Sequence, residues 1–252
     1  MSPGVMLDVL LLRFEAPLMS FGGALVDQIS PTRDFPGRAM LAGLFGNALG
    51  YRHQDAEKLA SLQSRIRWAA REDRRGEPFM DYQTVNLAAP HMLQGWTTRD
   101  APEGRDGGDK NATTIRYRHY LADAAYVVAV ALDEGAGPAL DDLAQALDRP
   151  ARPLFLGRKC CLPSVPLRYG RVKVGRLRDA LTHAEVQPLR RGKTEGALTL
   201  RAWWPVEDGT EQGRTVAFTD DMDWANQIHV GRHYVQEGAV MVGIPSSREV
   251  AS

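Results

Sequence analysis

The chain changes its hydrophobic period several times, and each change predicts an element. Residues 5–14 (VMLDVLLLRF) run almost unbroken in Val and Leu, the pattern of a short strand buried on both faces. Residues 15–35 read as a long connection containing Phe21-Gly22-Gly23. In residues 30–50 (SPTRDFPGRAMLAGLFGNALG) the period becomes helical, with Met40, Leu41, Leu44, Phe45, Ala48 and Leu49 on one apolar face. Pro36 suits the first turn, Thr32 or Asp34 is placed to satisfy orphan N–H groups, and Gly50 can close the helix in the left-handed conformation. Ala39, Ala42, Gly43 and Gly46 are small enough to let this helix press onto a sheet. Residues 55–64 predict a second helical piece. Residues 65–71 (RIRWAAR) alternate, with Ile66, Trp68 and Ala70 on one face and Arg65, Arg67 and Arg71 on the other, predicting a half-buried strand with a basic outer face. A turn at 73–78 leads to a further strand at 79–85 (FMDYQTV).

Residues 86–114 show little periodicity, and 101–111 (APEGRDGGDKN) are rich in glycine and charge, so this stretch predicts a long functional or flexible loop. Tyr82-Gln83-Thr84 before it and residues 115–120 (IRYRHY) after it predict the two arms of one projecting hairpin. Residues 124–132 (AAYVVAVAL) are a buried strand, and 138–147 a helix with Leu140, Leu143, Ala144 and Leu147 inward. Strand, helix, strand, strand, helix and a short strand is the order of a ferredoxin-like βαββαβ unit, an α+β fold, with the hairpin inserted before the third sheet strand. Further strands are expected at 197–204, 215–218 and 233–242, with a frayed tail at 246–252. The division is into a domain of residues 1–170 and a β-rich region of residues 171–252.

Composition narrows the function. The 252 residues carry 31 Lys+Arg against 31 Asp+Glu, so a nucleic-acid site has to be a local patch. One basic stretch stands out: residues 149–178 hold nine Lys/Arg and no acid, which points to a polyanionic ligand. Cys160 and Cys161 are adjacent, which suits neither a disulfide framework nor a metal knuckle, and neither a signal peptide nor a membrane span is expected. The expectation is a soluble cytoplasmic protein.

Most catalytic readings fall away. Gly192-Lys193-Thr194 ends like a phosphate-binding loop, but position 187 is Gln where glycine is required. His229 and His233 lack the glutamate of a zinc helix, and Asp221 with Asp223 reads as a solvated acidic turn. No metal or cofactor is expected. Two anion-binding readings remain. The helix predicted in the second half of residues 30–50, flanked by Arg33 and Arg38, presents an N-terminus that suits phosphate, or else these are solvated arginines. His119, beside Arg118 and Tyr120 and with Tyr82 on the opposing arm, could act as a general base toward a 2′-hydroxyl in metal-independent RNA cleavage; alternatively it stacks on a base or caps a strand.

Four segments, PTRDFPGRAMLAGLFGNALG, DYQTV, TIRYRHYLADAAYVVAVAL and RPLFLGRKCCLPSVPL, occur in an order and spacing that closely resemble the CasD family of type I-E CRISPR Cascade subunits, part of the RAMP superfamily of RNA-binding proteins. The likeness runs from about residue 5 to 170 and is weak after about residue 175. It implies a ferredoxin-like (RRM-like) body, a β-hairpin thumb at about residues 82–120 and a small C-terminal β region. It further implies a subunit that holds the 5′ handle of crRNA in a hooked single-stranded form, with the thumb kinking the guide. CasC backbone subunits and the large subunit CasA would flank it, with target DNA reached only through the complex. Arg118 matches a thumb-base arginine expected to touch the handle. Unpaired bases are read by stacking and edge hydrogen bonds, for which Tyr82, Gln83, Thr84 and Tyr117 are suited, while Arg33, Arg38, Arg116, Arg118, Arg158 and Lys159 can take phosphates. A type I-C branch of the same family cuts the repeat RNA itself, a task that belongs to CasE in type I-E. The resemblance therefore favours a non-catalytic role and leaves the His119 reading as its alternative.

Overall fold

The computed structural model describes residues 6–86, 94–96, 102–104, 113–186, 196–209 and 213–244. Strand β1 (Leu7–Met19) leads through the two-residue β2 (Ile29–Ser30) to helices α1 (Arg38–Leu49) and α2 (Ala56–Arg65). Strands β3 (Ile66–Arg74) and β4 (Glu77–Asn86) follow, then the short pair β5 (Gln94–Trp96) and β6 (Pro102–Gly104). Next come the long β7 (Thr113–Leu132), helix α3 (Leu140–Asp148), β8 (Arg168–Val174) and the single turn α4 (Leu177–Ala180). The chain ends in β9 (Gly196–Pro205), β10 (Arg214–Phe218), β11 (Asp221–Asp223), β12 (Ile228–Val230) and β13 (His233–Ile244). Among the described residues nine strands form one sheet in the order β10-β13-β9-β3-β7-β1-β8, with β2 and β4 added to β7. Only the β2–β7 pairing is parallel. The fold is mixed α/β around a large antiparallel sheet.

Alternation along the central strands sorts side chains onto two buried faces. Leu10, Leu12 and Phe14 of β1, Trp68 of β3, and Tyr126, Val128 and Val130 of β7 pack under α1, α2 and α3. Val9, Leu11, Ala69, Val127 and Ala129 face the other way, onto Leu177, Ala180, Leu181 and Ala184. This second layer corrects the expectation of a basic outer face on β3. Arg71 is fully buried there. Its guanidinium fork donates to Asp73 at 2.5 and 2.9 Å and to the carbonyls of Leu181, Ala184 and Glu185, fastening the α4 segment to the sheet. Arg67 is half-buried toward Glu207 and Asp208, and Arg65, at the end of α2, reaches the carbonyls of Asp133, Ala136 and Pro138.

β1 is longer than its sequence pattern suggested, because it continues through Pro17 to Met19. Ala16 pairs with Ala124 and Leu18 with Ala122, so Pro17 falls opposite Asp123, which adopts the left-handed conformation (φ 53°) and leaves the ladder. Proline is tolerated in a strand where no ladder bond is required of it. At the same point β7 changes partner. Residues Ala125–Leu132 pair with β3, and Thr113–Ala122 pair with β4. Gly76 makes the crossover possible, since a Cβ there would lie 2.8 Å from Ala124 Cβ and 3.1 Å from Ala122 O. Arg74 clamps the bend, donating to Asp123 O at 2.7 Å, Asp123 Oδ1 at 3.1 Å and Glu15 Oε1 at 3.2 Å.

α1 runs from Arg38 to Leu49 and Gly50 closes it at φ 84°, but Pro36 falls before the extended Gly37 N-cap rather than in the first turn where its sequence position suggested. Its N-terminus differs from expectation. Thr32 accepts from Phe21 N–H, Asp34 pairs with Arg201, and neither caps the helix. The buried carboxylate of Asp220 does so instead, accepting from Arg38 N–H and pairing with the Arg33 guanidinium at 3.0 Å. A Cβ on Gly37 would collide with it at 2.2 Å, so the approach requires glycine. The small helix residues divide by neighbour: Ala39 and Ala42 are buried, Gly46 faces Leu59 of α2, and Gly43 faces Trp224. Phe35 completes the junction, stacking on Trp68 at 5.6 Å and contacting Trp203 and Phe218 at 5.3 and 5.1 Å.

Two outcomes follow from these buried charges. Arg71→Met removes the buried guanidinium that pairs with Asp73 and holds the Leu181, Ala184 and Glu185 carbonyls, so urea unfolding should show a loss of about 3–5 kcal/mol. Burial raises the Asp220 pKa above its ordinary 3.8, against the opposing pull of Arg33 and the Arg38 N–H. The native state thus holds this proton more tightly than the unfolded chain, and the group's contribution to stability falls as pH rises through 3.8 toward the folded pKa. Denaturation of wild type and Asp220→Asn between about pH 3 and 6 should therefore show the wild type losing ground to the variant as pH rises.

Candidate nucleic-acid interface

Beyond the bend, β4 and β7 form a two-stranded ladder with Tyr82 opposite Tyr117. Residues directly opposite in an antiparallel pair share a face. Met80 with His119, Tyr82 with Tyr117 and Thr84 with Ile115 therefore line one side. Phe79 with Tyr120, Asp81 with Arg118 and Gln83 with Arg116 line the other. The Tyr82 and Tyr117 rings meet edge to face, 5.5 Å apart, and Tyr82 remains 53% exposed. An aromatic pair left half in water offers flat surface for a base to stack on. Arg118 makes no hydrogen bond or ion pair among the described residues, although Asp81 stands across from it. Gln83 donates to Asp81 at 2.5 Å, leaving its amide oxygen free to accept.

The base of this ladder is tied to the body on its second edge. β2 lies beside β7, with Ile29 next to Tyr117 and Ser30 next to Arg118, and Tyr117 N–H donates to Gln28 O. Arg116 donates to Asp27 O at 2.9 Å. Arg158 bridges both strands, donating to His119 O and Ser30 O at 3.0 Å each, with its guanidinium 4.6 Å over the Tyr120 ring. Burial, with the Cys160 thiol beside it, raises the pKa of the Tyr120 hydroxyl. Arg116 and Arg158 thus hold protein carbonyls as well as flanking the ladder, while Lys159 is exposed in the next position.

The remaining predicted residues lie elsewhere. Arg33 and Arg38 sit at the α1 N-terminus, where Asp220 occupies the anion position proposed for phosphate. Arg38 also lies 3.7 Å from Asp221 and 3.3 Å from His233 Nδ1; His233 Nε2 is 2.8 Å from Asp221 Oδ2 but out of line for a hydrogen bond. The basic run at 149–178 finds its acids in other segments: Arg168 pairs with Asp148, Arg171 with Asp8 and Asp141, and Arg176 with Asp179. His119 and Tyr82 share a face in diagonal positions of the ladder, one pair apart. Among the described residues no group of His, Cys, Asp and Glu is arranged to hold a metal, and no helix is long and apolar enough to cross a membrane. Residues 192–194, most of 101–111 and the tail at 246–252 lie outside the described residues.

Sequence reasoning passed over Phe79 and Met80, which are 46% and 52% exposed on the same ladder, and Ile29, 47% exposed beside Tyr117. The alternation in FMDYQTV carried the signal for the first two; nothing near residue 29 announced a strand. It also passed over Asp220, which is far from α1 in sequence.

A family model described as CRISPR-associated protein (Cas_Cas5) matches residues 9–236. The CRISPR system Cascade subunit CasD of Escherichia coli (strain K12) is 29% identical over 180 residues, covering 71% of this chain and 78% of that protein. A chain of a CRISPR RNA-guided surveillance complex has the same fold, with a TM-score of 0.70 at 24% identity over 93% of this chain and 91% of that one. A solved Cas protein superposes with a TM-score of 0.56 at 23% identity, over 95% of this chain and 96% of that one. With a family model spanning both the central sheet and most of the C-terminal strands, the chain belongs to the Cas5 family of CRISPR-associated proteins.

Proposed function

We propose that this protein is a non-catalytic, cytoplasmic RNA-binding subunit of a Cascade-type surveillance complex. It holds the 5′ handle of crRNA, caps a row of CasC backbone subunits beside CasA, and meets target DNA only through the assembled complex. The observation that carries the reading is the half-exposed Tyr82–Tyr117 pair, with the Arg118 guanidinium on the reverse of the same ladder. Aromatic surface on one face of the ladder and a cation on the other would let unpaired RNA stack and be held by its phosphates as it wraps the ladder. On this reading the β4–β7 ladder is the base of the thumb. The body is ferredoxin-like, which the order β3-β7-β1-β8 with α1 and α3 as crossovers supports. This body ends with β8 at Val174, so the division expected at residue 170 falls inside that strand, and the later strands extend the sheet through Ala70–Trp203 and Arg71–Ala202.

The diagonal placement of His119 and Tyr82 supports a second reading, metal-independent cleavage of repeat RNA. One experiment separates the two. End-labelled repeat RNA is incubated with the protein in EDTA and run on native and denaturing gels. Retarded, intact RNA is the expected outcome; a single discrete cut that His119→Ala abolishes would replace binding with processing. Arg118→Ala should weaken handle binding about tenfold and lower the salt slope by about 0.7 if it contacts a phosphate. Tyr82→Ala should cost about 1–3 kcal/mol of affinity with little change in that slope. Unchanged affinity in both variants would move the site off this ladder.

A further inference from the structure

A second concave surface lies on the outer side of α1, away from the β4–β7 ladder. It is a cleft of about 720 Å³, bounded by α1, the start of α2 and residues 151–162. Tyr51, Phe155 and Trp224 line it together with Arg52, Arg152 and Lys159, and the Lys58 ammonium lies 5.5 Å over the Tyr51 ring. No carboxylate is among its described lining residues. That contrasts with the rest of the basic run, where Arg168, Arg171 and Arg176 each meet an aspartate. Here the side chains of Arg52 and Lys159 make no hydrogen bond or ion pair among the described residues. Arg152 is held by Asn47 Oδ1 at 2.8 Å and by the Tyr51 carbonyl through Nε and Nη2, so its third nitrogen is left for a ligand in a fixed orientation.

The walls are braced. Asn47 donates to Pro153 O at 2.7 Å and Ala151 N–H donates to Ala48 O at 2.8 Å, locking the 151–153 segment onto α1. Trp224 comes within contact distance of Gly43, where a Cβ would sit 3.6 Å from its ring. A cleft of this volume, lined by three aromatic rings and three cations, suits a ligand with a flat ring and a compact anionic group. An acidic peptide would satisfy the cations and leave the rings in water.

We propose that this cleft is a nucleotide site, taking one unpaired nucleotide with its base against the aromatic lining residues Phe155 and Trp224 and its phosphate on Arg52, Arg152 and Lys159. The proposal goes beyond handle binding and does not depend on it. The two surfaces share only the 156–161 turn, on which Arg158 faces the ladder and Lys159 the cleft.

The test is a titration of the full chain with adenosine 5′-monophosphate, followed by tryptophan fluorescence. Saturable quenching is expected, with Trp224→Phe removing the signal. Arg52→Ala and Phe155→Ala should each raise Kd about tenfold without moving the thermal midpoint. Adenosine and inorganic phosphate, each engaging half of the site, should bind at least about tenfold more weakly than the monophosphate. Competition by a 5′-phosphorylated oligoribonucleotide would assign the site to the end of an RNA, and its absence would assign it to a free nucleotide; both support the proposal. No saturable quenching, Kd values indifferent to Arg52→Ala, or stronger binding of a polyglutamate peptide would each overturn it. The monophosphate does not need the ladder, so a failure here and a failure of handle binding in Arg118→Ala are read separately.

Discussion

Everything in this molecule depends on β7 having two sets of partners along one continuous strand. Between Ala125 and Leu132 it is a central strand, packed on both faces and paired with β1 and β3 on its two edges. Beyond Asp123 it carries a ladder whose side chains are half in water. A strand can change its surroundings so abruptly only if one residue leaves the hydrogen-bond pattern and the neighbouring chain crosses close by. Asp123 does the first and Gly76 the second, and Arg74 supplies the hydrogen bonds that the bend leaves open. The core and the candidate interface are thus parts of a single element, positioned by the same backbone.

The parts of the fold carried by local period were readable before any coordinates. Residues 124–132, 38–49 and 140–147 had neighbours in sequence that set their burial, and they fold as that period dictates. What was illegible depended on residues far away in the chain. Arg71 read as a surface cation because its burial is imposed by a segment more than a hundred residues later. Asp220 supplies the anion at the start of α1 from across the molecule, where composition suggested an external phosphate. Of the site, the opposed arms around Tyr82 and Tyr117 were legible from alternation and turn chemistry, whereas the β2 edge was not, since two residues carry no period.

The charge balance takes on meaning in the same way. Equal totals of acids and bases conceal an uneven placement. Three of the seven arginines of the basic run, Arg168, Arg171 and Arg176, are paired at close range with aspartates, and such pairs on the surface act mainly as local fasteners. The cations at the α1 cleft and Arg118 stand apart from that pattern. A body of zero net charge limits non-specific attraction to polyanions.

Arg158 ties the start of the ladder to β2 and the body through two backbone carbonyls, while Arg74 grips the other side of the bend. With both sides fixed there is no hinge at the junction. A load applied at the far end of the described β4–β7 ladder would therefore be carried into β1 and β3 as torque on the sheet.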